Sequence, residues 1–171
     1  MKVMACDLAT VSGIAVDGPG GKPRGITYRL PTGGNDLGGA GLAFSDWLHG
    51  LASIERPDLI ALEAPVLGNT GAKVFTSEML VGLAFMAEVV SKSLHIPTVR
   101  AHVQTVRRHL LGNGRPRNPK RAVIDRCRLL GWAPKNDNEA DAMALWLHTK
   151  ARLDRTFRIE TGTPLFAGAR A

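Results

Sequence analysis

Three carboxylates occupy positions from which they could act on one substrate. Asp7 and Glu63 each end a short apolar run, and Asp141 lies in the first turns of the last amphipathic segment. Carboxylates that are crowded together repel one another unless a cation neutralises them. Hard oxygen ligands suit Mg²⁺ or Mn²⁺, and a pair of such ions about 3.5–4 Å apart can promote phosphodiester hydrolysis. For any one of these acids alone, a capping role is the simpler interpretation, but their order beside a basic segment favours a catalytic metal site.

The basic segment lies in the middle of the chain. From Arg100 to Arg128 there are eight arginines and Lys120 against one acid, Asp125, so nine cations minus one anion give +8. Because the whole chain carries +7, the remainder sums to −1. A basic segment on a neutral body is typical of a protein that binds phosphate backbones, the alternative being a solvated surface. The residues expected to contact DNA phosphates are Arg107, Arg115, Arg117 and Lys120.

The elements that must position these side chains follow from the periodicity of the apolar residues. Strands are predicted at residues 3–7, 13–16, 25–30, 59–63 and 98–101. Helices are predicted over residues 42–51, 76–94, 120–130 and 136–153. The first three strands are joined by short turns and predict an antiparallel meander. Helices then alternate with strands, which indicates an α/β fold with a mixed sheet covered by helices.

Length and composition limit the class of protein. A chain of 171 residues can bury one good core, and 44% hydrophobic with 22% charged residues is ordinary for a globular protein. There is no apolar run of about eighteen residues, and Asp7 comes too early for a signal peptide, so a cytoplasmic protein is expected. We predict one domain over residues 1–157 and a loosely held tail over residues 158–171. Cys6 and Cys127 lack metal-binding spacing and are expected in the core.

Four segments of the chain resemble the RuvC-type Holliday junction resolvases. They are Asp7-Leu8-Ala9-Thr10-Val11-Ser12-Gly13, Ala61-Leu62-Glu63-Ala64-Pro65, Val103-x-x-Val106-Arg107-x-x-Leu110-Leu111-Gly112-x-Gly114 followed by Lys120, and Asn136-Asp137-Asn138-Glu139-Ala140-Asp141-Ala142-Met143-Ala144-Leu145. The resemblance spans roughly residues 2–153 in matching order and spacing. It implies a ribonuclease-H-like fold with a mixed five-stranded sheet, a homodimer, four-way DNA junctions as substrate, and Mg²⁺ or Mn²⁺ at an acidic cluster of Asp7, Glu63 and Asp141.

The chain departs from the family pattern at the fourth metal position. Three residues before the final aspartate the family usually has an acid or a histidine, and this chain has Asn138, which offers only a neutral oxygen. Asp137 lies four residues before Asp141, on the same helical face, and is the alternative fourth ligand. We favour Asn138 because its spacing matches the motif and because Asp137 is expected to precede the first helical turn. The family's aromatic wedge after the second acid is also missing, with Val66 and Leu67 in its place.

The helix predicted over residues 76–94, beginning near Thr76, is apolar nearly all round. A helix that packs on one sheet needs only one apolar stripe, so we expect its other side to contact the same helix of a second subunit. Three other functions stay open: a catalytically weak or inactive DNA-binding protein of the same fold, a structured-RNA-processing nuclease, and a nucleotide-binding enzyme of the sugar-kinase and actin-like group. The last of these normally needs two duplicated domains, and this chain has room for one.

Overall fold

A mixed five-stranded sheet forms the centre of the computed structural model, which describes residues 1–31, 36–64, 74–112 and 117–159. The strands are β1 (Val3–Asp7), β2 (Val11–Asp17), β3 (Pro23–Arg29), β4 (Leu59–Glu63) and β5 (Thr98–Ala101). Their spatial order is β3-β2-β1-β4-β5. The pairs β1–β2 and β2–β3 are antiparallel, whereas β1–β4 and β4–β5 are parallel. The predicted mixed sheet, with its antiparallel first three strands, is confirmed.

Five α-helices of the described residues cover the two faces of this sheet. Helices α1 (Leu37–Glu55) and α2 (Val74–Ser93) lie on one face, and α3 (Val103–Leu111), α4 (Pro119–Leu129) and α5 (Asp137–Leu153) lie on the other. Helix α1 begins earlier than its apolar spacing indicated, because the Asp36 carboxylate caps it by accepting the Gly39 N–H at 2.8 Å. Helix α3, inside the basic segment, was not predicted as a separate element.

Alternating strand side chains separate two cores. Val3 and Ala5 of β1 pack with α3, α4 and α5, whereas Met4 and Cys6 pack with α1 and α2. By the same alternation, the last residues of β1 and β4 face the α5 side of the sheet. Both cysteines are fully buried, which confirms their predicted place in the core.

Helix α2 buries one side and exposes an apolar stripe on another. Its buried side includes Leu83 and Ala87, in the core shared with α1. Val81, Phe85 and Val89 recur every four residues and are 42%, 63% and 43% exposed. The prediction of an apolar second side is therefore confirmed for the described side chains. What covers this side stays a prediction.

The chain after α5 folds back on the core as far as it is described. The Phe157 ring contacts the Trp146 ring edge-on, with centroids 5.4 Å apart. Most of the predicted tail, residues 160–171, lies outside the described residues. Within the described ranges, no helix combines the length and the hydropathy that a membrane span needs.

Candidate active site

One row of residues crosses all five strands on the side of the sheet that α5 covers. Glu63 lies opposite Ala101, Asp7 lies opposite Gly13, and Gly13 lies opposite Thr27. Continuing the parallel register of β1 and β4 by one residue places Asp7 opposite Glu63. Neighbouring strands are about 4.8 Å apart, so two of the predicted catalytic carboxylates are adjacent in this row.

Helix α5 lies directly on this row because two strand residues have no side chain. A Cβ on Gly13 would lie 1.9 Å from the carbonyl oxygen of Asn138, and a Cβ on Gly25 would lie 2.6 Å from Glu139 Oε2. No other residue type fits at Gly13 unless the helix moves away. The first turns of α5 therefore rest on β2 and β3, and they carry Asp141 toward the two strand carboxylates.

The three carboxylates share one electrostatic environment. Burial, with the charges of Glu63 and Asp141, raises the pKa of Asp7 to about 8. Burial, with the charge of Asp141, raises the pKa of Glu63 to about 7. Burial also raises the pKa of Asp141, although Arg107 opposes this effect. Ionising all three carboxylates together is therefore unfavourable unless a cation binds, and raised pKa values of this kind are frequent at functional sites.

Arg107 is the cation closest to this cluster. Its Nη2 donates to Asp141 Oδ2 at 3.4 Å, and the two side chains are 21% and 14% exposed. Its charge also partly offsets the rise in the pKa of Asp7 and of Glu63. Its Nε is buried and has no hydrogen-bond partner among the described residues. Arg107 thus lies against an acid in this structure, and its predicted contact with a DNA phosphate stays a prediction.

The donor set fits a hard divalent cation. The three side chains offer only carboxylate oxygens, which are the ligands that Mg²⁺ and Mn²⁺ prefer. In residues 1–31, 36–64, 74–112 and 117–159, no three His, Cys, Asp or Glu side chains form a group compact enough to hold an ion as they stand. An ion that bound all three carboxylates would therefore have to draw them together and replace the Arg107 guanidinium.

The candidates for the fourth ligand both lie at the start of α5. The expectation that Asp137 precedes the first turn is wrong, since Asn136 caps the helix and Asp137 is its first residue. Asp137 Oδ2 pairs with Lys120 Nζ at 2.5 Å, and this hydrogen bond lowers the pKa of Asp137. Asn138 is half-buried, with its main-chain carbonyl against β2. The choice between the two residues stays a prediction.

The cations of the basic segment differ in how they are paired. Several are paired with acids nearby: Arg100 with Glu88 at 2.8 Å, Arg121 with Asp125 at 2.8 Å, and Arg128 with Asp125 at 4.0 Å. Arg117 is exposed and has no ion-pair partner in the described part of the chain, and the Lys120 side chain is 69% exposed. Arg115, Val66 and Leu67 lie outside the described residues. The predicted DNA contacts stay predictions.

No role at this site was predicted from the sequence for Asn136 or Glu139. Glu139 is only 1% exposed, and its carboxylate accepts hydrogen bonds from the Thr27 hydroxyl and the Lys135 N–H. An available signal was the spacing of Asn136 and Glu139, a cap residue followed three positions later by Glu, which is typical of a capping box. Their link to β3 depends on tertiary structure and has no local signal.

Solved structures share this architecture. A structure of Thermus thermophilus RuvC aligns with a TM-score of 0.69 at 21% identity, covering 89% of this chain and 96% of that chain. The chain has a RuvC-type fold. Thermus thermophilus RuvC in complex with a Holliday junction substrate aligns with a TM-score of 0.67 at 18% identity, covering 85% and 90%. The yeast mitochondrial Holliday junction resolvase Ydc2 aligns with a TM-score of 0.54 at 13% identity, covering 88% and 79%.

The likeness to RuvC is one of structure. No family model matches the chain, and no curated protein matches it by sequence. The RuvC-type, ribonuclease-H-like fold that the four sequence segments implied is therefore confirmed by the arrangement of the elements.

Proposed function

We propose that this chain is a divalent-metal-dependent endonuclease that cuts four-way DNA junctions. The observation that carries the proposal is that Asp7 and Glu63 end neighbouring strands in one row of the sheet, with Asp141 of α5 near enough for its charge to raise the pKa of both. The RuvC-type fold supports it, because one of the matching structures holds a Holliday junction substrate. Branched DNA is therefore the substrate class to test first.

The three carboxylates would hold Mg²⁺ or Mn²⁺, and Asn138 or Asp137 would complete the ligand set. The bound metal would supply activation of the attacking water and stabilisation of the leaving oxygen. Arg107 lies beside the same row, so on leaving Asp141 it is placed to donate hydrogen bonds to a phosphate oxygen. The protein thus contributes the anionic ligands and one cation for the scissile phosphate.

The rest of the DNA would be held by cations outside the cluster. Arg117 and Lys120 are exposed near the start of α4, and Arg115 belongs to the same stretch of sequence. Such contacts position a nucleic acid without reading its bases. Lys120 pairs with Asp137 at the start of α5, so it joins this basic surface to the edge of the acidic cluster.

A homodimer would match the two-fold symmetry of a four-way junction. The stripe of Val81, Phe85 and Val89 on α2 is exposed and apolar, and a symmetric contact between two such stripes would bury it. Two catalytic sites would then face the two strands that must be cut. A cytoplasmic location belongs to this proposal, since the substrate would be cellular or viral DNA.

A junction-binding protein that does not cut is the competing function. Two observations favour it: the neutral Asn138 at the fourth position, and the Arg107 guanidinium already on Asp141. In that case the acids would be neutralised by the protein and no metal would be needed.

A cleavage assay separates these functions. The full chain is incubated with a four-way junction, a linear duplex of the same sequences, and a structured RNA, each with and without Mg²⁺. We expect cuts in the junction alone, and only with the metal. Junction binding without cuts would support the non-catalytic function, and cleavage of the RNA alone would support the RNA-processing function. Either result would overturn the proposal.

A further inference from the structure

A closed ring of hydrogen bonds ties the first turn of α5 to β3. The Asn136 side-chain amide donates to Thr27 Oγ1 at 2.8 Å, and the Thr27 hydroxyl donates to Glu139 Oε1 at 2.7 Å. The Glu139 N–H donates to Asn136 Oδ1 at 2.9 Å and closes the ring. The second carboxylate oxygen of Glu139 accepts the Lys135 N–H at 2.8 Å. Every polar atom of these three side chains thus has a partner.

This ring lies at the level of the catalytic carboxylates. Thr27 is opposite Gly13, and Gly13 is opposite Asp7, so the ring is anchored on the same row, about 10 Å from Asp7 across two strand spacings. Asp141 follows Glu139 by two residues, about 3 Å along the helix axis. A change in the height of the first turn over β3 would therefore move Asp141 relative to the other two acids.

The far end of α5 is held separately. Trp146 Nε1 donates to Asp17 Oδ1 at 2.7 Å, and Lys150 Nζ donates to Asp17 Oδ2 at 2.7 Å. These contacts do not involve the ring. Loss of the ring would leave the start of α5 held by the Lys120–Asp137 pair and by its packing on Gly13.

We propose that Thr27, Asn136 and Glu139 are positioning residues that set the placement of Asp141 over Asp7 and Glu63. The inference rests on the proposed function, because it assumes that these acids bind a metal. The ring would act by holding the ligands before the ion arrives, so that binding does not have to order the start of α5.

The test compares two Thr→Val substitutions on the full chain. Thr27→Val keeps the shape of the side chain and removes both of its hydrogen bonds in the ring. Thr149→Val is the control, because Thr149 is 3% exposed, lies on α5, and hydrogen-bonds only within the helix, to the Leu145 carbonyl at 2.9 Å. Thr27→Ser retains the hydroxyl and is the rescue variant. Mn²⁺ affinity without DNA is measured by calorimetry, with thermal unfolding and junction-cleavage kinetics beside it.

We expect Thr27→Val to weaken Mn²⁺ binding by about tenfold or more, the range found when groups that orient metal ligands are removed. Its kcat should fall with little change in KM for the junction, because the DNA contacts lie elsewhere. Thr27→Ser should restore Mn²⁺ affinity, and Thr149→Val should change only the unfolding temperature. If Thr27→Val does not fold, Glu139→Gln, which keeps the size of the side chain, is expected to show the same loss of affinity.

Equal Mn²⁺ affinities for the parent, Thr27→Val and Thr149→Val would overturn the positioning role and leave the proposed function standing. A parent protein that binds Mn²⁺ but does not cut junctions would contradict the proposed function alone, and the affinities would still decide the role of the ring. A parent that binds no Mn²⁺ would overturn both.

Discussion

The half-buried acids at the two ends of helix α5 have opposite surroundings. At the far end, the buried Lys150 lies 2.7 Å from Asp17 and 3.4 Å from Asp154, and Trp146 donates to Asp17 as well. A hydrogen bond from the Thr156 hydroxyl, with help from Lys150, lowers the pKa of Asp154. Both carboxylates thus have partners supplied by the chain.

At the near end, the acids outnumber their partners. Burial and mutual repulsion raise the pKa of Asp7 to about 8 and that of Glu63 to about 7, with Arg107 as the nearby cation. The comparison teaches that burial of acids alone does not mark a functional site. Asp17 is paired with Lys150 of the same chain, whereas burial and neighbouring acids raise the pKa of Asp7 and of Glu63.

The largest effect expected is the loss of cleavage in Asp7→Asn. The substitution removes a charged ligand while the phosphate contacts remain, so junction cutting should fall to background and junction binding should persist. The unfolding temperature should not fall, because the carboxylate is penalised by burial and by its neighbours. Cleavage gels and binding isotherms check this, with the parent protein as the control. Junction cutting at the parent rate would show that the site is assigned to the wrong residues.

The matching substitution at the far end, Asp17→Asn, should lower stability and leave metal binding unchanged. It removes the charge that faces Lys150 and weakens the link between α5 and β1, so the free energy of unfolding should fall by about 1–3 kcal/mol. Metal affinity should not change, since the acidic cluster is untouched. Denaturant unfolding followed by circular dichroism measures the loss. A drop in metal affinity as large as that of Asp7→Asn would remove the distinction between the two ends.

The fourth ligand can be assigned by a pair of substitutions at the start of α5. If Asn138 is the ligand, Asn138→Asp should tighten Mg²⁺ binding, because it adds an anionic oxygen. If Asp137 is the ligand, Asp137→Asn should cripple cleavage, and Asn138→Ala should matter little. The Mg²⁺ dependence of cleavage decides between them. Parent-like behaviour of all three variants would mean that neither residue is a ligand.

The smallest effect expected concerns the basic surface. Replacing Arg117 and Lys120 together with alanine should reduce the slope of log affinity against log salt by about two, one for each lost phosphate contact. Arg121→Ala is the control, because Arg121 pairs with Asp125 on its own helix and should contribute little. Filter-binding over a range of salt concentrations gives the slopes. An unchanged slope in the double variant would indicate that this segment is a solvated surface that does not contact phosphates.

The sequence was sufficient for the strands that carry the acids. β1, β4 and β5 have the predicted bounds. The first two are short apolar runs that end on a carboxylate, and β5 follows Pro97, which ends the preceding helical pattern. The order of the acids and the resemblance to RuvC-type resolvases were sufficient for the fold. These features are local or follow from chain order, so no knowledge of tertiary contacts was needed.

The rest of the site depends on contacts between distant residues. Nothing in the sequence indicated that the Arg107 guanidinium lies against Asp141, because the two residues are 34 positions apart. Gly13 belonged to a recognised motif, but its close contact with the backbone of α5 becomes evident only when the position of the helix is known. The error over Asp137 was of a different kind: the helix was predicted to begin near Asn136, yet Asp137 was expected to precede its first turn, although Asn136 is a good cap residue.

Whether the near end of α5 binds a metal ion can be measured by calorimetry. Mn²⁺ is titrated into the parent protein, Asp7→Asn and Asp17→Asn, all without DNA. If the near end of α5 is the metal site, the parent and Asp17→Asn bind Mn²⁺ with the same affinity, and Asp7→Asn loses that binding. Binding of Mn²⁺ to Asp7→Asn with the affinity of the parent would contradict the claim.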